Sequence, residues 1–165
     1  MLTEEKIKQE SACLIRRITE HPLFQKAKIV MLYCSLHDEV DTHTLIREYC
    51  QRKKILLPVV CGNDIHLRVC QGLNDMQIGA YGIEEPLGET FENVESIDLI
   101  VVPGMAFDNQ CHRLGRGKGY YDRFLSDERL KNAYKIGVCF SCQLLDNVPT
   151  DENDVKMDEV ITPSM

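Results

Sequence analysis

The stretch that most constrains this chain is an apolar run followed by a glycine-rich basic loop and a helical pattern. The run from Ile97 to Val102 ends at Pro103-Gly104 and predicts a buried strand stopped by a turn. Three glycines then alternate with Arg116 and Lys118, and a helix is predicted from Tyr120 to Lys131. Glycines let a backbone approach a ligand closely, and N–H groups at a helix start favour anions. The stretch therefore predicts a phosphate-type anion site; the alternative is a basic turn whose glycines serve only chain reversal.

Strand and helix patterns alternate along the rest of the chain. Strands are predicted at Lys28–Ser35, Ile55–Val60, Ile65–Cys70, Ile97–Val102 and Lys135–Phe140. Further helices are predicted from Thr3 to the break at Pro22 and, after Val40-Asp41-Thr42, through about Gln51. The turn residues Gly62-Asn63-Asp64 predict a short antiparallel hairpin, and Gly79 to Gly88 is predicted as a loop. The alternation predicts an α/β fold with a mostly parallel sheet, in a single domain over residues 1–165.

The charge balance and the cysteines narrow the class of function. A net charge of -7 argues against a general binder of nucleic acid or of membrane surfaces, so anion binding must come from the local basic loop. The N-terminus is polar, without a signal-like segment, and no run reaches membrane-spanning length, so we expect a cytoplasmic protein whose eight cysteines are reduced. Cys139 and Cys142 form a C-x-x-C pair, but without a second pair this is a weak metal or redox signal.

Three loops follow predicted strands and are candidates for a site. They are Cys34–Thr42, Pro103–Arg116 and Phe140–Asp158. In open parallel sheets, ligands bind at the carboxyl ends of the strands. We therefore expect these loops to meet at one edge of the sheet.

Several sequence words resemble those of the 5-formyltetrahydrofolate cyclo-ligases, also called methenyltetrahydrofolate synthetases. The most specific are Asp98-Leu-Ile-Val-Val-Pro-Gly-Met-Ala-Phe-Asp108 and Arg113-Leu-Gly-Arg-Gly-Lys-Gly-Tyr-Tyr-Asp122. Supporting words are Tyr33-Cys-Ser-Leu-His-Asp-Glu-Val-Asp-Thr42, Tyr81-Gly-Ile-Glu-Glu-Pro86 and Asn153-Asp-Val-Lys-Met-Asp-Glu159. The resemblance implies a three-layer α/β/α fold with a Rossmann-like sheet. It also implies ATP- and Mg2+-dependent cyclisation of 5-formyltetrahydrofolate to 5,10-methenyltetrahydrofolate by a monomer whose partners are small molecules.

The resemblance assigns roles to residues that spacing alone leaves as loop charges. It implies that Arg116 and Lys118 stabilise phosphoryl transfer, that Glu39 anchors the pterin, and that Cys34 contributes a wall. The implied ATP-binding residues are Arg113, Leu114, Gly115, Arg116, Gly117, Lys118, Gly119, Tyr120 and Tyr121. The implied substrate-binding residues are Cys34, Glu39, Arg116, Gly117, Lys118, Gly119 and Tyr120. The implied Mg2+ ligands are Asp122 and Asp154, and carboxylates from separate loops suit that ion.

One departure from the family pattern keeps other functions open. The family begins with an extra helix whose Lys/Arg pair contacts ATP, whereas Leu2-Thr-Glu-Glu-Lys resembles the loop after that helix. We therefore expect weak ATP binding by the chain as given. The first alternative is a non-catalytic relative that binds folate or nucleotide but has lost efficient phosphoryl transfer. The second is a relative of sugar-phosphate isomerases or CoA-transferases, which would explain a phosphate loop but not the other words.

Overall fold

A seven-stranded sheet forms the centre of the computed structural model, which describes residues 2–163. The α-helices are α1 (Glu4–Glu20), α2 (Pro22–Lys26), α3 (His43–Tyr49) and α4 (Tyr120–Leu125). The strands are β1 (Ile29–Met31), β2 (Lys54–Cys61), β3 (Asp64–Cys70), β4 (Met76–Ile78), β5 (Glu84–Pro86), β6 (Thr90–Phe91), β7 (Leu99–Val102), β8 (Ala106–Asp108), β9 (Arg113–Leu114), β10 (Tyr134–Val138), β11 (Leu144–Leu145) and β12 (Glu159–Ile161). Short 3-10 helices lie at Ala80–Gly82, Val94–Ser96, Glu128–Leu130 and Ser141–Gln143.

The central sheet is mostly parallel. Its strand order is β12-β10-β7-β1-β2-β3-β6, and the five strands from β12 to β2 pair in parallel. Strands β3 and β6 pair antiparallel, and β2 and β3 form the hairpin predicted at Gly62-Asn63-Asp64. The predicted α/β class with a mostly parallel sheet and a hairpin is therefore confirmed.

Alternate residues of the sheet feed two separate apolar cores, which makes the fold three-layered. Val30 and Val101 point to the side covered by α1 and α3, where Leu14 and Ile46 are fully buried. Their sequence neighbours face the opposite side, which is covered by α4 and two 3-10 helices; examples on that side are Met31, Val102, Leu125 and Leu130. Side chains alternate between the two faces of a strand, so an apolar run buried on both faces needs helices on both.

The first helix follows from local sequence. The side chain of Thr3 accepts a hydrogen bond from the N–H of Lys6 (3.1 Å), and Glu4 and Glu5 occupy the first turn, where carboxylates complement the helix dipole. The helix ends at Glu20, and Pro22 begins α2 at a position where its missing N–H costs nothing. The predicted break at Pro22 is confirmed.

Several predicted boundaries were wrong. The helix predicted from Tyr120 to Lys131 stops at Leu125, because Ser126 caps it and Asp127 starts a separate 3-10 turn by accepting from the N–H of Arg129. The strand predicted over Lys28–Ser35 is paired only from Ile29 to Met31. After Met31 the chain leaves the sheet and continues as the first site loop.

The region from Gly79 to Gly88 was predicted as a loop, and this is wrong for Glu84–Pro86, which form β5. Strand β5 pairs antiparallel with β4, which lies just before this region, and a 3-10 turn at Ala80–Gly82 joins the two strands. A second small sheet has the order β11-β8-β9. Strands of two or three residues are too short for periodicity to reveal, since their pairing depends on distant partners. Both small sheets border the site described next.

Candidate active site

The three predicted loops meet around one cavity of about 710 Å3. Tyr33 and Glu39 come from the loop after β1, Pro103 from the loop after β7, and Pro149 and Asp154 from the loop after β10. These are carboxyl ends of neighbouring parallel strands, where such sheets bind ligands. The volume is in the range of small-molecule sites. All thirteen of the predicted site residues line this cavity: Cys34, Glu39, Arg113, Leu114, Gly115, Arg116, Gly117, Lys118, Gly119, Tyr120, Tyr121, Asp122 and Asp154.

The glycine-rich loop takes a backbone shape that other residues adopt poorly. Gly117 has φ of +94° and Gly119, the residue before α4, has φ of +70°. L-residues with a Cβ are disfavoured in this region, which explains glycine at both positions. Helix α4 has only six residues, so its dipole contributes little positive potential at the loop. The side-chain cations must therefore supply most of the positive charge.

Arg113 is buried beneath this loop. Its side chain is 7% exposed, and Nε donates to the carbonyl of Pro103. The guanidinium lies 5.0 Å from the centre of the Tyr121 ring, and Nη1 lies 4.0 Å from Oδ1 of Asp122. Burial lowers the pKa of Arg113, although the neighbouring Tyr121 and Asp122 oppose that change. Arg113 is therefore a fixed cation in the cavity wall, held between the β7 loop and α4.

Arg116 joins the basic loop to the loop that carries Glu39. Its Nη2 lies 3.2 Å from Oδ1 of Asp38 and 3.6 Å from Oε2 of Glu39. The side chain of Glu39 is only 14% exposed, and its Oε1 accepts from the N–H of Leu36 (2.8 Å). The carboxylate of Glu39 is thus fixed at one oxygen, while its other oxygen faces the cavity-lining cation.

Lys118 and Tyr120 face a tyrosine from the unpredicted hairpin. The Nζ of Lys118 lies 5.9 Å from the centre of the Tyr81 ring, and the hydroxyls of Tyr81 and Tyr120 are 3.1 Å apart. Tyr81 has φ of +59°, which is uncommon for a residue with a side chain. Tyr81 thus connects the β4–β5 hairpin to α4 at the cavity wall.

The two predicted metal ligands stand on different elements. Asp122 is on α4, and its Oδ1 accepts from the N–H of Val155 (3.4 Å), beside the loop of Asp154. Burial raises the pKa of Asp122; Arg113 lowers it, and Asp154 and Asp151 raise it further. Asp154 accepts from the N–H of Asp151 (2.9 Å), which fixes its carboxylate. A carboxylate whose pKa is raised by neighbouring acids, as that of Asp122 is, is suited to a cation.

Cys34 and Tyr33 are buried side chains of the cavity wall. Burial, with help from Glu84, raises the pKa of Cys34 to about 12, so the thiol is protonated at neutral pH when no cation is bound to it. Burial also raises the pKa of Tyr33 well above its usual value, with Glu39 contributing. The C-x-x-C pair takes no part in this cavity, since Cys139 is buried in the core and Cys142 is exposed elsewhere.

Sequence reasoning missed one wall of the cavity. That wall comes from the β2–β3 hairpin and the β4–β5 hairpin, and its residues are Pro58, Val60, Ile65, Tyr81, Ile83 and Glu85. The carboxylate of Glu85 is buried and accepts from the N–H of Val60 (3.0 Å), which ties the two hairpins together. The word Tyr81-Gly-Ile-Glu-Glu-Pro86 was the signal that pointed to this segment.

Fold and cavity together are those of an α/β enzyme with a basic glycine-rich loop beside an acid-lined, partly aromatic pocket. Among the described residues, no helix is long and apolar enough to cross a membrane. Residues 1–163 match the family model of the 5-formyltetrahydrofolate cyclo-ligase family. The chain belongs to this family and is an enzyme of the cyclo-ligase class.

Individual relatives agree with the family match. The NMR structure of the 5,10-methenyltetrahydrofolate synthetase of Aquifex aeolicus is similar, with 41% identity and a TM-score of 0.87 over 99% of this chain and 83% of that chain. The 5-formyltetrahydrofolate cyclo-ligase of Haemophilus influenzae is 33% identical over 87% of this chain and 82% of the relative. The mouse cyclo-ligase is 31% identical over 96% of this chain and 84% of the relative.

Proposed function

We propose that this chain cyclises 5-formyltetrahydrofolate to 5,10-methenyltetrahydrofolate and converts ATP to ADP and phosphate. The observation that carries the proposal is the 3.6 Å contact between Arg116 and Glu39. It sets the basic loop directly against the proposed pterin anchor. A γ-phosphoryl group at that loop and a formyl oxygen near the pterin would therefore meet in one cavity.

Glu39 is the residue that we assign to the pterin. A carboxylate offers about four acceptor positions on two oxygens, and only one is used by the N–H of Leu36. The pterin amino group and a ring N–H present two parallel donors, which a carboxylate accepts in one plane. The low exposure of Glu39 strengthens these charge-assisted hydrogen bonds, because little water competes for them.

Arg116 and Lys118 are the groups that we assign to the transferred phosphoryl. The formyl oxygen attacks the γ-phosphorus and ADP leaves; N10 then adds to the activated carbon and phosphate departs. Phosphorylation is needed because the oxygen of an amide is otherwise a poor leaving group. In phosphoryl transfer the protein positions the reactants and neutralises charge, so no protein nucleophile is required. Arg113 acts from the wall as a fixed cation that holds Asp122.

The site also fits Mg2+. Five acids line the cavity against three basic side chains, so a triphosphate would face unfavourable carboxylates without a further cation. Asp122 and Asp154 are the residues that would hold the ion, because both line the cavity and the negative charge of Asp154 raises the pKa of Asp122. Bound there with ATP, Mg2+ would supply charge neutralisation for the phosphates. The weak ATP binding expected from the sequence stays a prediction.

A turnover assay tests the proposal directly. The protein is incubated with 5-formyltetrahydrofolate and Mg-ATP, and the methenyl absorbance is followed together with ADP release. We expect one ADP for each methenyl product and no product without ATP. Binding of folate and ATP without product would point instead to the non-catalytic relative. Failure to bind folate at all would overturn the assignment.

A further inference from the structure

Three potential metal ligands meet at the edge of the cavity, away from the proposed Mg2+ residues. They are Cys34 after β1, His43 at the start of α3, and Glu84 at the start of β5. The Sγ of Cys34 lies 3.4 Å from Nε2 of His43, and the same Nε2 lies 3.3 Å from Oε1 of Glu84. One ligand atom from each residue lies within 4.8 Å of the other two.

These separations are also close to the ligand–ligand distances of a tetrahedral metal site. With Zn–S of about 2.3 Å and Zn–N and Zn–O of about 2.1 Å, tetrahedral angles place sulfur and nitrogen about 3.6 Å apart and nitrogen and oxygen about 3.4 Å apart. The observed separations are 3.4 and 3.3 Å. A single ring nitrogen has either one proton or one lone pair, so Nε2 cannot make a good hydrogen bond to both neighbours. A cation between the three groups satisfies all of them.

The other ring nitrogen of His43 is arranged as in known metal sites. Nδ1 lies 3.0 Å from Oδ1 of Asp41 and 3.1 Å from Oγ of Ser35. The same Asp41 oxygen accepts from the backbone N–H of His43 (3.0 Å), which fixes the carboxylate. A carboxylate on Nδ1 holds the proton there and directs the Nε2 lone pair at the metal, which is the usual outer arrangement for a metal-bound histidine.

We propose that Cys34, His43 and Glu84 bind one divalent cation of the zinc type. Thiolate and imidazole ligands favour Zn2+ over Mg2+ or Ca2+, and bound metal keeps the thiol deprotonated. The side chains of His43 and Glu84 are 30% and 40% exposed, whereas Cys34 is buried. The fourth position therefore opens to solvent on the His43–Glu84 side. This site is separate from the Asp122 and Asp154 pair, and its existence does not depend on the proposed function.

Such an ion would brace the cavity. Cys34 and His43 border the loop that carries Glu39, while Glu84 belongs to the hairpin that carries Tyr81. A metal bridge between the two would hold the β4–β5 hairpin against the loop that carries Glu39. Because binding to the folded state alone adds stability, the midpoint of thermal unfolding should rise with added Zn2+.

The test is a titration of the folate-free, ATP-free protein with Zn2+ and with Co2+ as its spectroscopic substitute. We expect one ion per chain and a thiolate-to-cobalt charge-transfer band with the intense visible bands of tetrahedral Co2+. Loss of Asp41 as the outer partner in Asp41→Asn should weaken binding about 10- to 100-fold, and His43→Ala or Glu84→Gln should weaken it more. Cys34→Ser should abolish the charge-transfer band.

Two exposed cysteines outside the cluster serve as matched controls. Cys61→Ser and Cys142→Ser should leave the cobalt spectrum and the Zn2+ affinity unchanged. Glu84 is partly exposed, so Glu84→Gln should fold even if the buried Cys34→Ser variant does not. Absence of a thiolate band, affinity unchanged in both the His43 and Glu84 variants, or loss of binding in the control variants would each overturn the proposal.

Discussion

The carboxylate of Asp108 holds the third site loop against the sheet, and its removal gives the most quantitative prediction. Oδ1 accepts from the N–H groups of Gln110 and His112, both at 3.0 Å. Oδ2 accepts from the N–H of Val148 (3.1 Å) and lies 2.9 Å from Nδ1 of His112. Val148 precedes the segment that brings Asp154 to the cavity. Asp108 therefore links the end of β8 to the wall that carries a proposed metal ligand.

The magnitude follows from the pKa of this carboxyl. Burial alone would raise it, but the hydrogen bonds from His112, Val148 and Gln110 outweigh burial and lower the pKa of Asp108 from 3.8 to about 2. At about 1.4 kcal/mol per pH unit, the charged form contributes about 2 kcal/mol of stability at neutral pH. In Asp108→Asn the side-chain NH2 group faces backbone N–H groups that are themselves donors, so it has no acceptor there. A buried N–H without an acceptor costs about 1–3 kcal/mol. Both routes predict a loss of about 2 kcal/mol in the free energy of unfolding.

The pH dependence separates this account from general damage to the core. A lowered folded-state pKa gives stability that is present above the unfolded pKa and is lost as pH falls through the folded value. The difference between wild type and Asp108→Asn should thus be full above about pH 5 and shrink between about pH 4 and about pH 2. Urea unfolding of both proteins across this range measures it.

The exposed Asp146 in the same loop provides the control. Asp146→Asn should change the free energy of unfolding by less than about 0.5 kcal/mol, as expected for a surface position. A difference between wild type and Asp108→Asn that stays constant with pH would refute the hydrogen-bonded carboxylate as its source. A neutral-pH difference no larger than that of the control would do the same.

Three further variants test the proposed site. Glu39→Gln should weaken folate binding by about 1.5–3 kcal/mol with little effect on ATP binding, because a charged acceptor is lost. Asp38→Asn is the control, since Asp38 also contacts Arg116. Calorimetry that shows equal losses of folate and ATP affinity in Glu39→Gln would contradict the pterin assignment. Asp122→Asn should raise the Mg2+ concentration needed for half-maximal turnover. The same variant should be at least as stable as wild type at neutral pH in thermal melts, because a raised pKa means that the ionised form costs stability above the unfolded pKa. Lys118→Met should lower kcat/KM for ATP by an amount equivalent to about 1.5–3 kcal/mol of transition-state stabilisation, and it should leave folate affinity near wild type. Unchanged ATP kinetics would show that Lys118 does not belong to the phosphate site.

Much of the fold could be predicted because burial leaves a local trace. The run at β7 is apolar throughout, which is typical of a strand covered on both faces. The turn at Gly62-Asn63-Asp64 predicted its hairpin, since a short apolar-rich strand was predicted on each side of it. Thr3 predicted the start of α1 because its capping hydrogen bond lies within four residues. Such features depend only on neighbours along the chain.

The short strands and the site contacts depend on partners that sequence spacing does not reveal. Strand β4 pairs with β5 across a turn that contains Tyr81 in a left-handed conformation, which no periodic pattern announces. Arg113 was expected among the phosphate-binding residues, and the structure buries it against Pro103 and Tyr121. Whether a loop charge is solvated or buried is decided by what packs over it.

The sequence alone determined the alternation of strands and helices, the basic glycine loop and, through its resemblance to a family, the roles expected for Glu39 and Asp122. Tertiary structure decided which loops share a cavity. The parallel order β10-β7-β1-β2 places the carboxyl ends of four strands at one edge, so that Arg116 reaches Glu39 and the loop of Asp154 reaches α4. The same arrangement brings Glu84 to within 3.3 Å of His43, which lies 41 residues earlier in the chain. The reason is physical: secondary structure follows local burial patterns, whereas a site is made by strand order, which brings distant residues together.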